Sequence, residues 1–515
     1  MNKSRKRITI NFIANIVSYA VSLGISFVLT PFLISQIGKE TYSFYPIANT
    51  FLNYLVIMTN SLCSVATRFI AINFSKKNEK EAKTYFNAAM LVESLIGMVT
   101  IIPSALLIVF VDRVLNVPVD SVNAVRMLFA FVFSSGSVNI VSNILGVATF
   151  ATNRIDLRSY RELGAALLKA GLCVCAYSFF PASIVYIGII ALIVAVFNFL
   201  MQFIYTKKLL PGFLPNREKP AKRHFKELLA ASLWTIVISF GDLFLSGMTV
   251  VLSNAFYGSE VSGTLSIAIT IPGCLSGIVT LIVGVFYPML TDSVAQENDE
   301  EIQKNISTTM KICGGFGLAV IAVFSAASKQ FFQLWVPEEN ADQLFMLSCL
   351  FLAPYITTSS FWVFSNLFIA KNKVKTPALV TVGFGAMNIL LFSLMGLLQA
   401  PCIAPIIVTV FLEIVLVGVF FPLYGSKITK LNLREVYFAF AKIVLAAFLV
   451  FAICFAFTHI ISINGWLKFI LYGIVFGFFA LNFIFAFEDF ALYKAALAYV
   501  ASKLRLVFKN TKNRN

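Results

Sequence analysis

The chain has 515 residues, of which 59% are hydrophobic and only 12% are charged, and its formal net charge is +16. Soluble globular proteins carry roughly 25% charged residues, so this composition excludes a soluble domain and predicts a membrane protein. The Lys and Arg residues lie mainly in short segments on one side of the predicted membrane, as the positive-inside rule expects. The basic charge therefore indicates topology, and we expect no nucleic-acid partner.

Apolar segments long enough to cross a bilayer recur along the chain. A membrane-spanning helix needs about 20 mostly apolar residues, and these segments are longer than barrel strands and lack their alternating pattern. We predict about fourteen spans of this length, approximately at 10–36, 43–73, 84–111, 121–150, 159–180, 182–206, 228–254, 261–290, 306–328, 341–370, 377–399, 402–424, 435–458 and 464–487. The predicted fold class is an all-α membrane protein.

The first third of the sequence resembles a later third at an offset of roughly 220 residues, with a single one-residue gap. The aligned residues include the pairs Gly38/Gly258, Glu40/Glu260, Asn78/Asn298, Glu81/Glu301 and Ala151/Ala370. Each copy holds six predicted spans, and because six is an even number both copies have the same orientation. This pattern predicts two parallel six-helix repeats, with a transport site where they meet.

The repeat and the charge pattern define the predicted domain boundaries. They are an N-terminal six-helix lobe at 1–206, a basic cytoplasmic linker at 207–227, a second six-helix lobe at 228–424, two additional membrane helices at 435–487, and a basic amphipathic tail at 488–515. Both termini are predicted to be cytoplasmic. The apolar run after Lys3–Arg7 is much longer than the core of a signal peptide, so we expect the first helix to be retained.

Polar side chains recur at helical spacing on three predicted helices. The candidate substrate-binding residues on these polar lines are Asn15, Ser22 and Ser26 on the first helix, Asn60, Ser64 and Arg68 on the second, and Ser239 and Ser246 on the seventh. Small hydroxyl groups can also serve only to let helices pack closely. Because the first and seventh helices are aligned by the repeat, and the seventh also carries Asp242, we interpret these lines as the walls of a hydrated cavity.

Ionisable residues inside a membrane are costly, so each is a candidate for function. Arg68 lies near the inner end of its helix, where it could instead extend to the cytoplasm. Lys169 lies about eight residues, or roughly 12 Å, beyond Arg161, which is too deep for that; its aligned partner is Asn388, a further substrate-binding candidate. Asp242 is the preferred ion-coupling carboxylate. Glu93 is the acidic candidate in the first lobe, although it could instead form a local pair or a hydrogen bond inside the helix bundle.

The sequence offers little for catalysis. It lacks a Gly-rich phosphate loop, and its only two histidines are His224 in the linker and His459 near an outer helix end. The eight cysteines have no metal-ligand spacing. We therefore expect no enzymatic activity, no cofactor and no metal site.

Several short motifs support a family resemblance. An Asn-Arg pair at 153–154 and an Asn-Lys pair at 372–373 follow the fourth and tenth spans, and the segment 332–336 (FQLWV) follows the ninth. The segment 370–377 (AKNKVKTP) looks typical of Wzx-type glycan flippases. The chain resembles the polysaccharide-exporter branch, with its Wzx-type O-antigen flippases, of the superfamily that also contains multidrug exporters and the lipid II flippase. The resemblance covers essentially the whole chain.

This resemblance implies a flippase that moves a polyprenyl-diphosphate-linked oligosaccharide across the bacterial cytoplasmic membrane by alternating access. Its implied partners are that lipid-linked substrate, membrane lipid and, as a candidate, a polysaccharide polymerase. A lipid II flippase is expected to carry arginines in helix 1, and this helix has none after Arg7. A cation-coupled multidrug exporter needs an acidic residue in the first lobe, for which Glu93 is the candidate. Both alternatives remain open at this point.

Overall fold

A computed structural model of the protein describes residues 3–76, 78–152, 154–214, 218–296, 298–461 and 463–488. Most of these residues are helical and none of them forms a strand, which confirms the predicted all-α class. Thirteen helices in these ranges are long and apolar enough to span a membrane. The remaining predicted span, 43–73, lies within the continuous helix Lys39–Ser75. Apart from Glu488, the predicted amphipathic tail lies outside the described residues.

The helices follow one another in a nearly continuous series. The first ten are α1 (Lys3–Ile37), α2 (Lys39–Ser75), α3 (Glu79–Val109), α4 (Val111–Val114), α5 (Val122–Asn143), α6 (Val147–Ala151), α7 (Ile155–Phe179), α8 (Val185–Leu209), α9 (Lys222–Asp242) and α10 (Thr249–Tyr257). The others are α11 (Ser259–Ala268), α12 (Thr270–Ala295), α13 (Asp299–Trp335), α14 (Ala341–Phe361), α15 (Val363–Ala370), α16 (Lys375–Leu397), α17 (Ile403–Val415), α18 (Phe421–Thr429), α19 (Leu433–Ile460) and α20 (Trp466–Glu488).

Aligned positions of the two repeat copies adopt the same local geometry. Gly38 and Gly258 end α1 and α10 with φ angles of 77° and 91°. Residues with a Cβ rarely adopt such positive φ angles. Asn78 and Asn298 each accept a hydrogen bond from the backbone N–H three residues ahead, and so cap α3 and α13. The aligned residues thus have the same structural task in both copies.

The first compact unit comprises Met1–Ser266 with Ala378–Ile406. In it, α1 packs mainly on α7, α5 on α8, and α2 on α3, α5 and α9. One face of α2 is buried against α3, the start of α9 and the chain after α8, in a cluster that includes Leu62, Ala66, Phe86, Phe213 and Leu228. This packing fixes the rotation of α2 and therefore determines which of its side chains face away from the core.

The second compact unit comprises Ile267–Pro377 with Ile407–Asn515, and its central helix is α13. The two helices outside the repeat, α19 and α20, both pack on α13. A Cβ placed on Gly315 would lie 2.9 Å from the ring of Phe485, so a small residue is needed at that contact. Lys311 Nζ pairs with Glu488 Oε1 at 2.7 Å at the end of α20.

The compact units differ from the predicted lobes in one respect. Helices α9, α10 and α16 and most of α11, which we assigned to the second lobe, are grouped with the first six-helix copy. This grouping follows from close packing between the helices, whereas the lobes were drawn from the sequence repeat. The lobe boundaries at 1–206 and 228–424 remain a prediction.

Candidate functional site

The second helix has a polar face opposite its buried face. Leu62, Ala66 and Ile70 recur every four residues and are buried in the core of the first unit. Ser64 and Arg68 lie on another side of the same turns and are exposed. Because the buried residues hold the helix in this rotation, the serine hydroxyl and the guanidinium group are turned away from the core. The side chain of Asn60, a further candidate, lies outside the described part of the structure.

The polar line of α9 continues through a change of helix type. Ser239 and Asp242 are half-buried, and Ser246 is exposed. The helix widens to π geometry at Leu243–Gly247, immediately after the aspartate. Such wide turns interrupt the regular hydrogen-bond ladder and occur often at functional sites. The sequence spacing correctly placed these residues along one helix, but it contained no signal for the wide turn.

Asn388 stabilises this wide turn from the neighbouring helix α16. Its side-chain amide donates to the carbonyl oxygens of Phe244, at 3.2 Å, and Leu245, at 2.7 Å. The two helices approach closely because Gly241 has no side chain: a Cβ there would lie 2.7 Å from the backbone nitrogen of Val382. Asn388 is fully buried. Its amide is therefore engaged by the backbone beside Asp242, and it shapes the turn that follows this carboxylate.

The polar line of α1 is only partly accessible. Asn15 and Ser22 are half-buried, and Ser26 is exposed. Thr30, one turn further on, donates its hydroxyl proton to the carbonyl oxygen of Ser26 at 2.9 Å. A serine or threonine hydroxyl can donate its hydrogen bond to a backbone carbonyl oxygen of its own helix. The accessible part of this polar line is therefore at Ser22 and Ser26.

Lys169 on α7 is held by a tyrosine that the sequence analysis did not identify. The distance between Lys169 Nζ and Tyr45 Oη is 3.1 Å, and the ammonium group lies 5.4 Å from the centroid of the Tyr45 ring. Lys169 is half-buried, so a polar partner offsets part of the cost of placing its charge at membrane depth. No sequence pattern indicated Tyr45, because the two residues lie 124 positions apart along the chain.

Glu93 occupies a break in the helical path of the first copy. A 3-10 turn at Ile144–Gly146 separates α5 from α6, and the fully buried Glu93 accepts the N–H of Ile144 through Oε2 at 3.2 Å. Nearby, the side-chain amide of Gln202 donates to the hydroxyl of Ser142 at 2.6 Å. This hydrogen bond joins α3 to the α5–α6 break, and Glu93 supports the backbone where the regular ladder is interrupted.

All candidate residues belong to the first compact unit. Within it, the structure brings Asp242 and Asn388 to one turn, places Lys169 against α2 through Tyr45, and positions Glu93 at the α5–α6 break. Over the ranges that the structure describes, no group of three or more His, Cys, Asp or Glu side chains is arranged to hold a metal ion.

The long apolar helices with these polar faces define a multi-pass, all-α membrane protein. The family described as polysaccharide biosynthesis protein matches residues 8–294, more than half of the chain. The chain belongs to this family.

Individual proteins are also similar to this chain. The chain is 26% identical over 487 residues to the uncharacterized membrane protein EpsK of Bacillus subtilis (strain 168), covering 92% of this chain and 94% of the relative. Among solved structures it is similar to the lipid II flippase MurJ in an inward closed conformation, with a TM-score of 0.62, 15% identity, and coverage of 94% of this chain and 99% of that chain.

It is also similar to a multidrug resistance MATE family transporter of the MOP superfamily in an inward-facing conformation, with a TM-score of 0.61 and 14% identity, covering 80% of this chain and 94% of that chain. At these low identities, the two structural likenesses establish a shared fold. They agree with the all-α membrane fold expected from the sequence.

Proposed function

We propose that this protein moves a polyprenyl-diphosphate-linked oligosaccharide across the bacterial cytoplasmic membrane by alternating access, for the synthesis of a surface polysaccharide. The observation that carries the proposal is membership of the polysaccharide biosynthesis family. The fold shared with MurJ and MATE transporters supports movement of a substrate across the membrane rather than catalysis. Both termini are proposed to be cytoplasmic, and a polysaccharide polymerase is the candidate partner.

The substrate explains why polar side chains are needed on membrane helices. Transferring a hydroxyl group out of water without a new hydrogen bond costs roughly 2–7 kcal/mol, and an oligosaccharide carries many such groups. Isolated phosphate charges are more costly still. A hydrated groove lined by hydroxyl and amide groups removes most of this barrier, while the polyprenyl chain stays in lipid.

The proposed roles follow from the chemistry and exposure of the side chains. Arg68 and Lys169 attract the diphosphate or acidic sugars, because charge-assisted hydrogen bonds to anions are stronger than neutral ones. The hydroxyl and amide groups that would bind sugar hydroxyls are those of Asn15, Ser22, Ser26, Asn60, Ser64, Ser239 and Ser246. Asn388, which is buried, would act by maintaining the wide turn beside Asp242.

Energy for transport is proposed to come from an ion gradient or from consumption of the flipped product. Asp242 is the preferred coupling carboxylate, because it is half-buried on the polar line of α9 and precedes the wide turn. Glu93 is the second candidate. Because Glu93 accepts the N–H of Ile144, we first expect its replacement to have a local structural effect.

The two proposed cations provide the decisive test. Arg68→Gln and Lys169→Gln each remove a charge-assisted contact worth about 1.5–3 kcal/mol, so each should lower flipping by at least about tenfold. Tyr45→Phe keeps the lysine charge and should cause a smaller loss. The measurement is complementation of a strain without its own glycan flippase, scored by surface glycan and by the lipid-linked intermediate retained inside.

Lys442→Gln is the matched control, because Lys442 also lies at membrane depth, over the ring of Phe438, but on α19 outside both repeats. It should transport normally, and the abundance of all variants must match. Normal surface glycan in the Arg68→Gln, Lys169→Gln double variant would overturn the proposed site. Complementation of a lipid II flippase instead, or export of a cationic dye without any glycan, would favour one of the alternative functions.

A further inference from the structure

A carboxyl group at membrane depth in the second compact unit lies outside the site described above. Glu413 is about ten residues, or roughly 15 Å, from the start of the span Ile403–Thr429. This position is near the middle of a hydrocarbon core about 30 Å thick. The side chain is half-buried. An acidic residue at this depth is costly, so Glu413 is a candidate for function.

The carboxyl group of Glu413 is turned away from the lipid. Ile407 and Phe411, one helical turn apart, are exposed and mark the lipid-facing side of α17. Glu413 follows Phe411 by two residues, which corresponds to a rotation of about 200° around the helix axis. It therefore lies on the opposite side of α17, where other helices of the second unit are packed.

Two hydroxyl groups from other helices accompany this carboxyl group. The Tyr355 hydroxyl, on α14, interacts with the hydroxyl of Ser276, on α12, and electrostatically with Glu413. All three side chains are half-buried, and all three belong to the second compact unit. We name Ser276, Tyr355 and Glu413 the Glu413 cluster.

The backbone beside the Glu413 cluster is irregular and closely packed. A second turn of π geometry, Leu416–Phe420, begins three residues after Glu413, as the turn at 243–247 follows Asp242. Gly418 in this α17 wide turn lies against α14, since a Cβ there would be 2.8 Å from Thr357 Cγ2. This close approach positions Tyr355, on the preceding part of α14, beside α17. Wide turns of this kind occur often at functional sites.

The chemistry of the Glu413 cluster suits a sugar. A carboxylate only accepts hydrogen bonds, and the hydroxyl groups of serine and tyrosine both donate and accept. A sugar ring offers neighbouring hydroxyl groups to such partners, and its apolar face can pack on a tyrosine ring. One carboxylate and two hydroxyl groups are few ligands for a hard metal ion, which takes about six oxygen ligands.

We propose that the Glu413 cluster is a sugar-binding subsite that takes an uncharged sugar through its hydroxyl groups and disfavours an acidic one. The proposal rests on the proposed function and names the class of sugar, because a carboxylate repels a second negative charge. With an uncharged sugar, the anion that Arg68 and Lys169 attract is the diphosphate. The competing explanation is that Glu413 only holds α17 against α14.

Saturation-transfer NMR on the protein in lipid nanodiscs tests this subsite directly. The uncharged probes are maltotriose and chitotriose, and the acidic probe is trigalacturonate. Glu413→Gln should weaken binding of the uncharged probes about tenfold, as expected for one lost charge-assisted hydrogen bond. Glu413→Asp keeps the carboxylate and should retain part of the affinity. Glu413→Lys should bind trigalacturonate about tenfold more tightly than the wild type does, which a purely structural role would not produce.

Two control variants separate binding from packing. Glu435→Gln removes an exposed carboxylate at the start of α19, which bonds to Asn432 at 2.8 Å, and should leave probe binding unchanged. Tyr437→Phe removes the bond at 2.8 Å from the Tyr437 hydroxyl to the carbonyl oxygen of Gly418 in the α17 wide turn. It should lower the midpoint of thermal unfolding but keep the preference for uncharged over acidic probes.

Equal affinity for the uncharged probes in the wild type and Glu413→Gln overturns the subsite, and so does the absence of binding of both probes to the wild type. If the probes bind as expected but the wild-type protein complements no glycan pathway, the subsite stands and the proposed transport function fails. If the protein complements such a pathway but Glu413→Gln and Glu413→Lys leave probe binding unchanged, the function stands and Glu413 is structural.

Discussion

Single side chains at membrane depth in this protein are placed against specific polar partners. Asn388 bonds to the carbonyl oxygens of Phe244 and Leu245, Lys169 to Tyr45, and Glu93 to the N–H of Ile144. In each case the partner belongs to another helix, so each bond also fixes how two helices pack. Polar groups in lipid have few alternative partners, which makes such bonds selective as well as stabilising.

Replacing Asn388 should show this effect most clearly. Asn388→Leu leaves the carbonyl groups of the wide turn without their amide donor, and an unsatisfied buried group costs about 1–3 kcal/mol. We expect a lower midpoint of thermal unfolding in detergent. Asn73→Leu is the control, because the amide of Asn73 bonds at 2.9 Å to the preceding turn of its own helix, at Phe69. Equal midpoints in the two variants would contradict the role assigned to Asn388.

Helices in the two repeat copies begin and end by the same physical devices. Glycine with a positive φ ends α1 and α10, and asparagine caps α3 and α13. The copies also differ, since the wide turn after α9 has no aligned counterpart in α1. The glycines and asparagines set helix ends at aligned positions in both copies. The wide turn is a local feature of the second copy, beside Asp242.

The helix-ending glycines yield a prediction that depends on the backbone alone. No atom lies within 4 Å of a Cβ placed on Gly38 or Gly258, so substitution there meets no steric obstacle. Gly38→Ala and Gly258→Ala should nevertheless each cost about 1–3 kcal/mol, because alanine is strained at these φ angles. Thermal unfolding in detergent measures this loss.

Gly24→Ala serves as the control for both glycine variants. Gly24 lies inside α1, and a Cβ there also has open space around it. Alanine favours a helix more than glycine does, so this variant should be neutral or slightly more stable. A loss of stability as large as that at Gly38 and Gly258 would show that something other than the φ angle causes it.

The arrangement of the chain across the membrane follows from its charges. Basic residues cluster in the linker and near both termini, whereas the loops near Gly258 and Pro337 contain few of them. Reporter fusions within 207–226 and at the C-terminus should therefore be cytoplasmic, and fusions near Gly258 and Pro337 should be external. A reversed result at either pair of sites would overturn the topology.

The sequence was sufficient to predict the fold class, the order of the helices, the repeat and the family. These features depend on the length of the apolar segments and on the spacing of polar and apolar residues within them. Both can be read from neighbouring positions in the sequence. Ser64 and Arg68 were also correctly placed on one face of a helix, because the spacing of the residues determines that face.

Contacts between helices could be seen only once the chain was folded. The partner of Lys169, the wide turn supported by Asn388, and the grouping of Glu81 with Arg223 and His224 join residues about 120–150 positions apart, as the packing of the helices dictates. No periodic pattern connects such residues, because their proximity depends on the rotation and close approach of several helices together. Small residues such as Gly241 permit that approach, but they indicate it only when the opposing backbone is known.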